Sequence, residues 1–148
     1  MSYPLGESGG GRTIEVGATA SVIREIGSED LEQVAQLSLD RNPIHFDEEF
    51  ARTSFFGEPI AHGMLGVLLL SGALTKLMGA GNVWLSSDFA FQKPIIVGDT
   101  LTAKLSVVSV ERRRIAEIDA QVTNQKDEVL IKGGLRSMLA AHPLKEKS

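Results

Sequence analysis

The chain contains no cysteine. That absence excludes a disulfide framework and a thiolate nucleophile. With three histidines and no thiol in 148 residues, the ligands for a structural zinc site are scarce, and no metal is expected. A surplus of positive charge is also missing. The formal net charge is −4, and a nucleic-acid partner calls for a basic face. No apolar run is long enough for a bilayer. The best candidate, Gly63–Thr75, is closed by Lys76 and falls short of the ~20 residues a span needs. The N-terminus lacks a basic segment followed by an apolar stretch, so no secretory signal is expected. The only glycine cluster, Gly9-Gly10-Gly11, follows no strand and opens no helix, so neither a phosphate loop nor a dinucleotide fingerprint is present. No cofactor is expected. What remains is the composition of an ordinary globular protein, 43% apolar and 23% charged, and large enough for one domain with a real core. The expected setting is the cytoplasm.

Periodicity supplies a coarse layout. Met1–Arg12 is rich in glycine and serine and reads as a flexible arm. Residues 13–142 form one domain, and 143–148 a tail. Ala18–Ile26 suits a first strand. Ser28 is a suitable N-cap for a helix over Glu29–Ser38, with Leu31, Val34 and Ala35 on one face. Leu39–Phe46 reads as a loop, because Asn42 precedes proline and is pushed out of the α region. Asp47–Thr53 reads as a short helix whose acids make a charged first turn. From His62 to Met78 the pattern is helical and apolar around nearly its whole circumference, so the helix should be buried, with Gly79, Gly81 and Asn82 ending it.

The second half alternates as strands do. Val83, Leu85, Phe89 and Phe91 share one phase, and Leu101, Ala103, Leu105 and Val107 another. Ala116, Ile118, Ala120 and Val122 alternate against Glu117, Asp119 and Gln121. Val129, Ile131, Leu135 and Leu139 keep phase around Gly133. Gly98-Asp99 and Gln125–Glu128 are turns, and Arg112–Arg114 a solvated hairpin end. Short connections between successive strands imply a mainly antiparallel sheet. One apolar helix followed by such a sheet implies a sheet wrapped around that helix, an α+β arrangement.

The chemistry concentrates between Asp40 and Ser71. Asp40 stands five positions before His45 across the stiff Asn42-Pro43 step, and His62-Gly63 stands at the mouth of the apolar helix. Taken singly, Asp40 suits a turn aspartate bonding its own backbone, and His45 a half-buried histidine with one hydrogen bond. Taken together, a carboxylate and an imidazole folded toward one water make a proton-transfer pair. Gly63 offers first-turn N–H groups with partial positive charge and no Cβ to block an approaching carbonyl oxygen. Such a position can hold a developing oxyanion. It equally lets the chain enter a helix. His62 suits a helix cap, and Asn42 a structural amide that satisfies its loop. Ser71, inside the apolar helix, suits a hydroxyl bonded back to its own backbone.

This segment resembles the hydratase motif of the MaoC-like family, and specifically its (R)-specific enoyl-CoA hydratases. Ser38, Asp40, Asn42, Pro43, His45, Asp47, Phe56, Pro59, Ile60, His62, Gly63 and Met64 fall where that pattern wants them. Lys93-Pro94 and Gly98-Asp99 extend the likeness, which runs from about Val16 to Leu139. Leu39 departs from it, standing where the family usually has glycine. The resemblance implies a hot dog fold and a homodimer paired edge to edge. It implies that Asp40 and His45 hold a catalytic water, that the Gly63 amide receives the thioester oxygen, and that Ser71 lies near the active site. His45 is then the expected base and Asp40 the acid. The reverse assignment, or one group serving both steps, fits the same residues.

The reaction implied is hydration of a trans-2-enoyl-CoA to the (R)-3-hydroxyacyl-CoA, or the reverse dehydration, with an acyl carrier protein as an alternative carrier. A thioesterase of the same fold would generally place an acid on the central helix, and none stands between Gly63 and Met78. A non-catalytic acyl-CoA-binding module would need neither Asp40 nor His45.

Overall fold

The computed structural model describes residues 14–140. The predicted arm, the tail and therefore the exact bounds of the domain lie outside the described residues. The elements run β1 (Thr19–Glu25), α1 (Ser28–Ser38), α2 (Pro43–Phe46), α3 (Glu48–Arg52), α4 (Met64–Met78), β2 (Val83–Phe91), β3 (Thr100–Glu111), β4 (Ile115–Thr123) and β5 (Val129–Met138). The five strands form one sheet in the order β1-β3-β4-β5-β2. Every pairing is antiparallel, as the short connections require. The arrangement is the hot dog fold, with α4 lying along the concave face of the sheet, principally against β1 and β3.

Side chains from alternate positions on the middle strands make the core. Leu101, Ala103, Leu105 and Val107 are buried, as are Ala116, Ile118, Ala120 and Val122 from the neighbouring strand. They meet Leu70, Ala73, Leu74, Leu77 and Met78 of α4. Helix and sheet approach closely at Gly66, where an added Cβ would sit 2.5 Å from Ile131 Cδ1. Only glycine lets the two layers approach this far.

Four expectations need correction. First, Ser28 is the first residue of α1 rather than its cap. Gly27 holds the N-cap position, and the Asp30 carboxylate reaches back to accept its N–H at 2.9 Å. Burial works to raise the Asp30 pKa, but the Gly27 amide and the Arg24 guanidinium outweigh it and hold the carboxyl below its ordinary value. Second, Leu39–Phe46 is not all loop. Asn42 stays extended before proline, yet Pro43 is pre-set for a helical first position, and Pro43–Phe46 closes one turn. Third, β2 does not keep a single phase. A register shift between Trp84 and Ser86 turns Trp84 to the face that Phe89 and Phe91 share, with the Trp84 and Phe89 rings 6.0 Å apart, and leaves Val83 and Leu85 out of phase with them and exposed. An extra residue in one strand reverses the facing of all that precede it. Fourth, α4 begins at Met64, with Gly63 at its N-cap, and is not buried all round. Met64 and Leu68 are half exposed, and Ser71, Gly72 and Thr75 continue the same open face. One five-stranded sheet covers only one side of a helix.

Candidate active site

The connection from α1 to α4 carries the polar groups, and a series of local hydrogen bonds shapes it. Leu39 ends α1 in the left-handed region at φ 64°, its N–H donating to the Ala35 carbonyl. A residue without a Cβ is favoured there, which gives the family's glycine a physical reason. Leucine keeps the turn but strains it. Ser38 donates to the Val34 carbonyl at 2.6 Å, and its hydroxyl oxygen accepts the Asp40 N–H at 3.1 Å. The Asn42 N–H donates to Asp40 Oδ1 at 3.1 Å, and the Ile44 N–H to Asn42 Oδ1 at 3.2 Å. These are the turn bonds expected of Asx residues before a proline. Asp40 thus keeps one carboxylate oxygen on its own turn.

His45 sits on the single turn of α2. Its Nδ1 lies 2.6 Å from the Ile60 carbonyl. A carbonyl oxygen can only accept, so Nδ1 carries the proton and Nε2 keeps its lone pair. Across the ring lies His62, 3.8 Å between centroids and tilted by 31°. His62 is 3% exposed, and its Nε2 lies 3.2 Å from the Asp40 backbone carbonyl, again as donor. Phe46 makes an edge contact with both rings, 6.2 Å from His45 and 5.8 Å from His62. Donor atoms of Asp40, His45 and His62 all lie within 4.8 Å of one another.

This donor set deserves a metal test, since two imidazoles and a carboxylate can hold a divalent ion. Each imidazole has one nitrogen committed to a carbonyl. The His62 nitrogen left over, Nδ1, is buried. The arrangement suits proton transfer better than coordination, and no metal is assigned to it.

Beside the cluster opens an apolar cleft of about 360 Å³, lined among others by Phe56, Ile60, Ala61, Gly63, Met64, Phe91 and Ile131, with Lys93 at its rim. It adjoins the cluster through the Ile60–Gly63 backbone rather than enclosing it. Gly63 stands between the two. Its N–H meets no acceptor among the described residues, as expected at a helix start. A Cβ there would lie 2.7 Å from Cδ1 and 2.8 Å from Cε1 of Phe91. The Phe91 ring therefore covers the glycine.

Of the residues singled out from sequence, Asp40, Asn42, His45, His62 and Gly63 come together. Ser71 lies on the open face of α4, seven residues after Met64. Asp47 caps α3 by accepting the Phe50 N–H at 3.0 Å, and Arg112–Arg114 form the β3–β4 turn. Two contributors were missed. The Ile60 carbonyl sets the His45 tautomer, and a backbone group leaves no mark in sequence. Phe91 reaches Gly63 from a strand 28 positions away, and its exposure, 55%, hides its role from any pattern of burial.

Residues 11–129 match the model of the MaoC like domain. The chain is 36% identical to an (R)-specific enoyl-CoA hydratase of Aeromonas caviae, over 82% of this chain and 92% of that protein. It is 37% identical to a 3-hydroxybutyryl-CoA dehydratase of Methylorubrum extorquens, over 91% and 85%. Among solved structures, the unliganded R-hydratase of Pseudomonas aeruginosa superposes with a TM-score of 0.81 at 33% identity, covering 91% of this chain and 88% of that one.

Proposed function

The chain belongs to the MaoC-like domain family, and from that premise we infer that it is a hydro-lyase adding water to a trans-2-enoyl-CoA to give the (R)-3-hydroxyacyl-CoA, or catalysing the reverse dehydration. The two curated relatives named above, a hydratase and a dehydratase, describe the two directions of one reaction. The observation that carries the reading is the meeting of Asp40 and His45 beside an apolar cleft with the Gly63 amide between them.

We propose the following division of labour. The acyl chain occupies the cleft and the thioester oxygen approaches the Gly63 N–H. The lone pair of His45 Nε2 takes a proton from water as the water oxygen bonds to C3. The π electrons move toward the thioester, and the charge gathering on its oxygen is held by the helix N-terminus. C2 then receives a proton from Asp40, and the proton on His45 returns to the carboxylate. Ser71, on the open face of α4, is given no step in this scheme. The same reading includes a homodimer. The sheet ends in β1 and β2, and on β2 Val83, Leu85 and Phe91 are exposed. Pairing of β2 with its copy would cover an edge that proteins seldom leave bare. A cytoplasmic setting belongs to the same proposal.

The test is direct. The parent protein is mixed with crotonyl-CoA and with a longer enoyl-CoA, and the ultraviolet absorbance of the conjugated thioester is followed. Loss of absorbance with release of the (R)-3-hydroxyacyl product supports hydration. Free thiol without loss of the alkene would point to thioester cleavage and overturn it. Turnover only of carrier-protein thioesters would replace the CoA part of the reading. Sedimentation at micromolar concentration should find a dimer.

A further inference from the structure

We propose that His62 is a positioning residue that ties the acid and the base of the site into one unit, an inference that rests on the hydratase reading above. Asp40 is otherwise held only by its neighbours, with hydrogen bonds to Ser38 and Asn42 two residues away on either side. The bond from His62 Nε2 to the Asp40 carbonyl spans 22 residues. It ties Asp40 itself to the start of α4, while its neighbours are held by the Arg41–Glu32 ion pair and by the bonds of Ile44 and His45 to Ile60. The same ring lies 3.8 Å from the His45 ring and limits how far that imidazole can swing about its bond to Ile60. The next residue in the chain is Gly63. One dipeptide therefore sets the separation of acid, base and oxyanion amide.

A second observation separates this role from simple packing. His62 is 3% exposed, and its Nδ1 has no hydrogen-bond partner among the described residues. Since Nε2 carries the proton, Nδ1 is a buried lone pair with nothing to accept. An unsatisfied buried acceptor calls for a reason. A phenylalanine would fill the same flat space and stack on His45 without that defect. What phenylalanine lacks is the N–H toward Asp40. The polarity of His62 is accounted for by that one bond.

Two substitutions divide the role. His62→Phe keeps the ring and removes the donor. His62→Gln keeps a donor at similar reach and removes the ring. Each is expected to lower kcat for crotonyl-CoA by about tenfold or more, because small displacements of catalytic groups are costly. KM should change far less, since the cleft is untouched, and the melting temperature of His62→Phe should stay near the parent's. Two signals in ¹⁵N and ¹H spectra of the free protein report the ties independently of turnover. The Arg41 amide shares a peptide group with the Asp40 carbonyl, so it should shift in His62→Phe and largely recover in His62→Gln. The His45 ring protons, shielded by the stacked ring, should stay put in His62→Phe and move in His62→Gln. Parent-like kcat in folded His62→Phe, or activity lost only in proportion to the folded fraction, would overturn the proposal. So would an Arg41 amide unmoved by His62→Phe together with His45 protons unmoved by His62→Gln. If the parent itself does not hydrate enoyl-CoA, the functional reading fails, and the two spectral signals still decide whether His62 ties Asp40 to His45.

Discussion

The β3–β4 hairpin and the α1–α4 connection are built on opposite principles. In the hairpin, eight alternating apolar side chains from Leu101 to Val122 are buried against α4, and each is one of many doing the same thing. In the connection, Ser38, Asp40 and Asn42 stay exposed, and the path of the chain follows from single hydrogen bonds, a left-handed Leu39 and one proline. Burial is collective and tolerant of small changes of detail. Directed bonds are individual. The first region should therefore fail by losing stability, and the second by losing activity while the fold survives.

The largest expected effect breaks the hairpin. Leu105 is fully buried, and Leu105→Ala should cost about 2–5 kcal/mol of stability through lost transfer energy and the cavity left behind. Chemical denaturation measures the loss. The molecules that stay folded should turn over at the parent rate, and a disproportionate fall in their kcat would erase the contrast. In the connection the reverse is expected. Asp40→Asn and His45→Gln should each reduce kcat by ~10²-fold or more with little change in melting temperature. The double variant should be scarcely worse than the poorer single, because groups acting as a unit are not additive. Near-parent hydration of crotonyl-CoA by either folded variant would end the proposed mechanism.

Gly63→Val should lower turnover by roughly tenfold or more while the fold holds. The backbone there has ordinary helical angles, and the clash is with the half-exposed Phe91 ring, which can swing into the cleft. Equal loss of melting temperature and activity would return Gly63 to a packing role. Leu39→Gly tests the strained turn from the other side. Relief of the left-handed conformation, set against the greater freedom of glycine when unfolded, should add about 1 kcal/mol, read as a raised melting temperature with kcat nearly unchanged. The smallest effect is expected from deleting Met1–Gly11, whose composition cannot support a core. A clear drop in melting temperature after that deletion would show that the arm docks.

Periodicity by itself determined most of the sheet. The phases on β3 and β4 were legible because a buried strand face repeats every second residue whatever it packs against. On β2 the same rule misled, since Val83 and Leu85 lie on the far side of a shift that no local signal announces. The length and composition of α4 were equally plain, but its open face was not, because an apolar surface does not say whether its cover comes from the same chain. In the site, spacing and likeness picked out Asp40, His45, His62 and Gly63, and the stiff Asn42-Pro43 step is a local property that sequence carries. Tertiary structure alone decided the rest: the Ile60 carbonyl that frees His45 Nε2, the His62 ring stacked on His45, and the Phe91 ring over Gly63. Each of these depends on where two segments far apart in the chain come to lie. Hydrogen bonds and ring contacts act over a few ångströms, so no reading of one segment contains them.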